Sequence, residues 1–183
     1  LVVCPTSVVG NWERELARFA PQVTVIRHQG GDRTADPAAL PAGAVVVTSY
    51  GVVRRDVELL ASVAWDVVVL DEAQQVKNPR AKAARAVRRL PARQRVALTG
   101  TPVENRLSEL WAIMDFCNPG LLGSFPAFKR RFAVPVERWG DNEAAAALRR
   151  LVAPFVLRRT KRDPAVAADL RDGTHETPGF STA

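Results

Sequence analysis

Val67-Val68-Val69-Leu70-Asp71-Glu72-Ala73-Gln74 is the stretch on which the reading of this chain turns. Four apolar residues run straight into two adjacent carboxylates. A run this short, rich in β-branched residues and bounded by charge, reads as a fully buried strand. Its C-terminal end delivers Asp71 and Glu72 to the rim of a parallel sheet, where α/β proteins place their ligands. An aspartate there can hold Mg²⁺ through water, because Mg²⁺ keeps most of its hydration shell and takes few carboxylates. A neighbouring glutamate can polarise the water that attacks a γ-phosphate. This is a Walker-B reading. A strand that simply ends in two solvated acids accounts for these eight residues equally well.

The flanking sequence alternates buried strands with amphipathic helices. Residues 1–4 read as a short strand, and Pro5-Thr6-Ser7 turns the chain into a helix with Val8, Trp12, Leu16 and Phe19 at helical spacing. Thr6 or Ser7 is the expected N-cap. A strand end feeding a helix N-terminus offers free N–H groups to a phosphate, although a plain βα corner is the simpler reading of these residues alone. Residues 23–26 read as the next strand, 29–43 as a loop with one turn near 38–40, and 44–48 as another buried strand. Thr48-Ser49-Tyr50 then repeats the polar corner, with Ser49 as cap of a single helix that turns Val53, Val57 and Leu60 inward.

Downstream of Gln74, Pro79 suits the first position of a helix over 80–90. Its inner face is Ala84, Val87 and Leu90; its outer face, Lys82, Arg85, Arg88 and Arg89, is the densest basic stretch in the chain. Such a face is usually a solvated helix surface, and a nucleic-acid role is the lesser reading. Residues 95–98 form the last buried strand, leading through Thr99-Gly100-Thr101-Pro102 into a helix over 103–117 that Asn118-Pro119-Gly120 stops. That helix turns Leu107, Leu110, Trp111, Met114 and Cys117 inward. From residue 121 the character changes. Phe125, Phe128 and Phe132 with Lys129, Arg130 and Arg131 suggest a short basic aromatic helix. Residues 141–152 form an alanine-rich helix capped by Asp141 or Asn142, which Pro154 breaks. Residues 155–157 are extended, Asp163 caps a last helix, and the polar tail from 171 is expected to be disordered.

Composition narrows the class. A chain of 183 residues can bury one sizeable core. With 47% hydrophobic and 25% charged residues it is an ordinary globular protein rather than a fibrous or disordered one. A net charge of +7 suits an anionic partner, although arginine in an Ala/Val/Arg-rich sequence also fits simple compositional bias. Cys4 and Cys117 lie far apart in apolar surroundings without a CxxC or Cys/His cluster, so both read as buried free thiols in a reducing compartment, with no zinc. His28 and His175 show no partner spacing and read as surface residues. No apolar run is long enough to span a membrane and no signal peptide is visible. The chain starts at Leu1, already inside an apolar run, and so reads as a piece cut from a longer protein.

Taken together, strands alternating with helices and candidate residues at strand C-termini predict a parallel α/β sheet. The order of motifs is more specific. LVVCPTSVVGNWERELARF, VVVTSYGVV, VVVLDEAQQVKNP, VALTGTPVENRLSELWAIMDFCNPGLLG and FVLRRTKRDPAVAADL follow one another in this sequence. Nearly the whole chain, from Leu1 to about Leu170, thereby resembles the Swi/Snf-type ATP-dependent DNA translocases of helicase superfamily two, in their bacterial, DEAQ-box branch. The resemblance implies a partial RecA-like P-loop NTPase lobe over 1–120, a helical extension and junction over 121–170, and the tail over 171–183. It implies ATP and Mg²⁺ as ligands, with Asp71 holding the metal through water and Glu72 activating the hydrolytic water. Gln74, Thr99, Gly100 and Thr101 would couple nucleotide state to lobe movement. Pro5, Thr6, Ser7, Thr48, Ser49 and Tyr50 would face the phosphates of one tracked DNA strand, in keeping with sequence-independent backbone contact. Arg158 and Arg159, with Leu157 and Lys161, match the basic segment near the second lobe, as DNA contacts or as a clamp between lobes.

The departures from the family pattern carry equal weight. The 183 residues contain no GxxxxGK[ST], so the main cradle of the β- and γ-phosphates and one Mg²⁺ ligand are missing. A second lobe with its arginine finger is missing too, and Arg171-Asp172-Gly173-Thr174-His175 departs from the family's proline and lysine–threonine pair. Loss of the phosphate-loop strand is expected to leave the 95–98 strand as an exposed sheet edge. The expected function is that of a fragment of a DNA translocase acting on double-stranded DNA and remodelling a DNA-bound protein complex, as a cytoplasmic, nucleoid-associated monomer. The isolated chain is expected to be inactive as an ATPase; the alternative function is a weak DNA-backbone-binding module without catalysis.

Overall fold

In the computed structural model, which describes residues 1–31, 33, 36–100 and 106–158, five strands form one parallel sheet. They are β1 (Val2–Cys4), β2 (Val25–His28), β3 (Val45–Ser49), β4 (Trp65–Leu70) and β5 (Ala92–Ala97). Their order across the sheet is β2-β3-β1-β4-β5, and every pairing is parallel. The α/β sheet expected from the sequence is therefore present.

Alternation along the strands sorts the core into two layers, because successive side chains point to opposite faces. On one face Val2, Cys4 and Val47 pack with Val9, Trp12 and Leu16 of α1 (Val9–Phe19). On the other, Leu1, Val3, Val46, Val68 and Leu70 meet Tyr50 and Val53 of α2 (Tyr50–Arg55), Leu60 of α3 (Val57–Ala61), Ala84 and Val87 of α4 (Lys82–Arg88) and Phe116 of α5 (Leu107–Cys117). Each large side chain fully buried this way contributes about 1.5–3 kcal/mol of transfer free energy.

The register brings four corners to one rim. Cys4 lies opposite Ser49, Val3 opposite Leu70, and Leu70 opposite Ala97. The chain therefore leaves β1 at Pro5, β3 at Tyr50, β4 at Asp71 and β5 at Leu98 along the same C-terminal edge. Backbone bonds continue the ladder into it: the Asp71 N–H donates to Val3 O at 2.8 Å, Leu98 N–H to Leu70 O at 2.7 Å, and Ala73 N–H to Leu98 O at 2.8 Å.

Several elements differ from the sequence expectation. Strand β2 begins at Val25 rather than 23, because residues 20–23 are used in the turn that closes α1, with Val23 N–H bonded to Ala20 O. The single helix expected after Tyr50 is two short ones. It breaks at Asp56 (φ −104°, ψ 26°), whose carboxylate is held by Arg33 and His28. His28, expected at the surface, is 1% exposed. Pro79 stays in a loop, where Asn78 Oδ1 accepts from the Arg80 N–H, so α4 begins only at Lys82. Strand β5 starts three residues earlier than expected, since it pairs with β4 from Trp65↔Ala92 to Leu70↔Ala97. Among the described residues it is an edge strand, and Val96 and Leu98 remain 40% and 41% exposed. Cys4 is buried as expected, whereas Cys117 is only partly so.

Beyond α5 the chain runs through α6 (Phe125–Phe128), a wider π turn over Lys129–Ala133 and α7 (Val134–Trp139). The basic aromatic helix expected there is thus a longer helical run. It buries Phe128 and Phe132 and exposes Lys129, Arg130 and Arg131. By contacts the chain divides into two compact units, Leu1–Ala145 and Ala146–Ala183. The helix α8 (Asn142–Val152) is capped by Asp141, whose Oδ1 accepts from the N–H groups of Glu143 and Ala144. In the second unit a turn over Ala153–Phe155 follows, and Phe155, Val156 and Leu157 are exposed. The expected last helix and tail lie outside the described residues.

Candidate functional site

The site is built on the β4 corner. After Leu70, Asp71 and Glu72 lead into a tight turn, Ala73–Val76, pinned by buried Ala73 and Val76. To make that change of direction Glu72 adopts left-handed backbone angles (φ 50°, ψ 52°). It is the one non-glycine among the described residues to do so. Such a conformation costs about 1–3 kcal/mol and collects at functional sites.

Both Asp71 oxygens have a donor. Oδ1 accepts from the Glu72 N–H at 2.9 Å and Oδ2 from the Trp12 indole Nε1–H at 2.8 Å. A carboxylate offers about four lone-pair positions, which leaves about two for the waters of a hydrated cation. Among the described residues no group of three or more His, Cys, Asp or Glu side chains could hold a metal without help. A single carboxylate with about two open positions fits a hard ion such as Mg²⁺, which brings its own water and phosphate oxygens.

The Glu72 carboxylate accepts from the Gln74 side-chain amide, and Gln74 Oε1 accepts from the Thr99 hydroxyl at 2.9 Å. A continuous side-chain chain, Glu72–Gln74–Thr99, therefore joins the β4 corner to the β5 corner. Gly100 is exposed beside it; Thr101 lies outside the described residues.

Charge at Asp71 is felt by its neighbours. Burial, and then the Asp71 carboxylate, push the Cys4 thiol up to about 11. The Tyr50 hydroxyl is raised well above its ordinary value, first by burial and then by the negative groups at Asp71, Cys4 and Glu72. The Tyr50 O–H donates a hydrogen bond to the Asp71 backbone carbonyl at 2.7 Å.

The two polar corners differ from each other. Thr6 and Ser7 are exposed and Pro5 half-buried, in a turn that neither hydroxyl caps; the N-cap expected there is not formed. Thr48, Ser49 and Tyr50 are buried. Thr48 Oγ1 donates to His28 O at 2.8 Å, and Ser49 Oγ accepts from the Val52 N–H at 3.4 Å, the cap that the sequence implied. Arg158 is exposed, and Arg159 lies outside the described residues. Arg88 of α4 bonds Pro79 O and lies 3.8 Å from Asp115, while Arg89, just past the helix, is exposed and makes a two-pronged ion pair with Glu58. Both guanidinium groups thus have partners within the protein. Trp12 is the site residue that helical spacing alone passed over: periodicity put it in the core, but a part-buried indole N–H also needs an acceptor.

Comparison with known proteins gives a consistent result. The SNF2-related domain family matches residues 1–177. The chain is 48% identical over 179 residues to YwqA of Bacillus subtilis (strain 168), whose name describes an ATP-dependent helicase/translocase; the match covers 96% of this chain and 19% of that protein. It is 42% identical over 176 residues to the TATA-binding protein-associated factor mot1 of Aspergillus fumigatus, covering 89% of this chain and 9% of that one. The Sulfolobus solfataricus SWI2/SNF2 ATPase core in complex with dsDNA superposes with a TM-score of 0.82 at 45% identity, over 92% of this chain and 35% of that chain. The chain thus spans a fifth or less of these curated relatives. The sheet is that of a RecA-like lobe.

Proposed function

The chain belongs to the SNF2-related domain family, and from that premise we propose that it is the acid-bearing part of the first lobe of an ATP-dependent motor that moves on double-stranded DNA. The observation that carries this reading is the shared rim, where the acid corner and the two polar corners leave adjacent strands at one level. Residues 1–120 make the partial lobe, 121–170 the helical extension and junction, and 171–183 the tail.

In this reading Asp71 holds the Mg²⁺ of ATP through water, and the bound ion offsets charge on the β- and γ-phosphates. Glu72 stands beside it to accept a proton from the attacking water. Gln74 and Thr99, with Gly100 and Thr101, pass the state of that corner to the β5 corner. Pro5, Thr6, Ser7, Thr48, Ser49 and Tyr50, with Arg158 and Arg159, meet the DNA backbone. The whole motor remodels a DNA-bound protein complex and works in the cytoplasm on the nucleoid.

The isolated chain is a narrower case. Its 183 residues contain no GxxxxGK[ST], while Thr6 and Ser7 are exposed at the surface. These two facts favour weak DNA-backbone binding without turnover for the chain by itself. Duplex binding followed by fluorescence anisotropy, alongside ATP turnover, tests this. Affinity is expected to be weak and to fall steadily with salt, by about 0.9 in log–log slope per neutralised phosphate, with no DNA-stimulated turnover. Binding that does not change with salt contradicts the backbone reading. Turnover that Glu72→Gln abolishes contradicts the inactive one.

A further inference from the structure

Two aromatic side chains hold Asp71 from opposite faces of the sheet. Trp12 sits in the first turn of α1, just past the Pro5-Thr6-Ser7 corner, and packs in the Val2–Cys4–Val47 layer. Tyr50 opens α2, just past Thr48-Ser49, and packs in the opposite layer with Leu1, Val3 and Leu70. The first donates to the Asp71 carboxylate and the second to its backbone carbonyl. Each of the two polar corners is therefore one hydrogen bond away from the acid.

The use made of Trp12 is unlike that of the other hydrogen-bonded indoles. Trp65 donates to Leu60 O and Trp111 to Gly123 O, both backbone carbonyls within twelve residues in the chain. Trp12 reaches 59 residues along the chain to a side-chain carboxylate. An aspartate carboxyl rotates over a broad, roughly two-fold profile about its terminal torsion. With the Glu72 N–H on Oδ1 and the Trp12 N–H on Oδ2, that rotation is fixed by two donors, one from the acid's own turn and one from α1.

We propose that Trp12 is a positioning residue: its indole N–H sets the orientation of the Asp71 carboxylate and ties it to the helix that follows the Pro5-Thr6-Ser7 corner, so that a displacement of α1 by bound DNA is felt at the metal-holding acid. Tyr50 fixes the backbone of the same residue, so the carboxylate turns while its Cα stays. The coupling rests on the reading of Asp71 as metal holder and of the Thr6–Ser7 corner as DNA-facing; the hydrogen bond itself does not.

Indole ¹H–¹⁵N spectroscopy of the intact chain separates these parts. Four tryptophans give four indole signals, and Trp12→Phe identifies the one in question while keeping an aromatic ring in the layer. Asp71→Asn is expected to move the Trp12 indole signal and leave those of Trp65 and Trp111 in place. An unmoved Trp12 signal overturns the proposal. Trp12→Phe supplies a second check: the Glu72 amide, bonded to the other Asp71 oxygen, is expected to shift or broaden as the carboxylate is freed, and an unchanged Glu72 amide also overturns it. On addition of a short DNA duplex, the Thr6 and Ser7 amides are expected to shift together with the Trp12 indole. Shifted amides with a stationary indole overturn the coupling. Amides that no amount of duplex moves overturn the DNA-facing reading, and the coupling with it; the first two measurements, made without DNA, tell that failure apart from a missing hydrogen bond.

Discussion

At the scale of single residues, the cluster of His28, Arg33 and Asp56 shows how the fold uses charge away from the candidate site. His28 Nε2 lies 3.0 Å from Asp56 Oδ2, and Arg33 Nε lies 2.5 Å from the same oxygen. His28 Nδ1 is buried and has no hydrogen-bond partner among the described residues. Burial works to raise the Asp56 carboxyl. The hydrogen bonds from Arg33 and His28, and their charge, outweigh it and hold the group below its ordinary value of 3.8. A carboxyl depressed in this way adds stability that is fully present above its unfolded value and is lost as pH falls through the lower, folded one. Asp56→Asn is therefore expected to lower stability near neutrality by about 1–3 kcal/mol. It should also flatten the loss of stability that the wild type shows below about pH 4. Urea unfolding across pH measures both, and identical acid limbs in the two proteins would count against the account.

At the scale of elements, the β5 edge is the exposed liability. Among the described residues it pairs on one side only, with β4, and shows Val96 and Leu98 to solvent. Arg95 gives no cover there: its guanidinium donates to Phe116 O and Leu90 O and lies 5.5 Å from the Phe116 ring centroid. Unpaired edges with apolar side chains recruit other edges. Val96→Lys is expected to suppress concentration-dependent self-association in light scattering while changing stability by no more than about 0.5 kcal/mol. Unchanged self-association would point to another surface. The same strand shows how far the sequence could be read. The C-terminal end of β4 was legible because an apolar run meets two carboxylates there. The start of β5 was not, because an edge strand tolerates the charges of Arg93 and Arg95, which a central strand excludes. The missing cap at Thr6 or Ser7 and the break at Asp56 escaped for a related reason. Both depend on partners, or on backbone turns, that periodicity does not record.

At the scale of the whole molecule, the acid corner was legible because its chemistry is local: two carboxylates at a strand end need only the strand to be parallel and buried. Its connections were not. The Trp12–Asp71 bond spans 59 residues and the Gln74–Thr99 bond 25, and only the strand order brings those corners together. The sheet thus brings the acid pair, its hydrogen-bonded connection through Gln74 to Thr99 and two polar corners to one rim. These 183 residues contain no GxxxxGK[ST], and they span between 9% and 19% of the relatives they match. The full-length protein is accordingly where the division of labour can be tested: Asp71→Asn, assayed in parallel for DNA-stimulated ATP turnover and for duplex binding without nucleotide. The account predicts turnover reduced by at least about 10²-fold, on the scale of losing one electrostatic element of a catalytic site, with duplex affinity largely unchanged. Loss of duplex binding with turnover retained would contradict it, and would place Asp71 in the DNA interface instead of the nucleotide site.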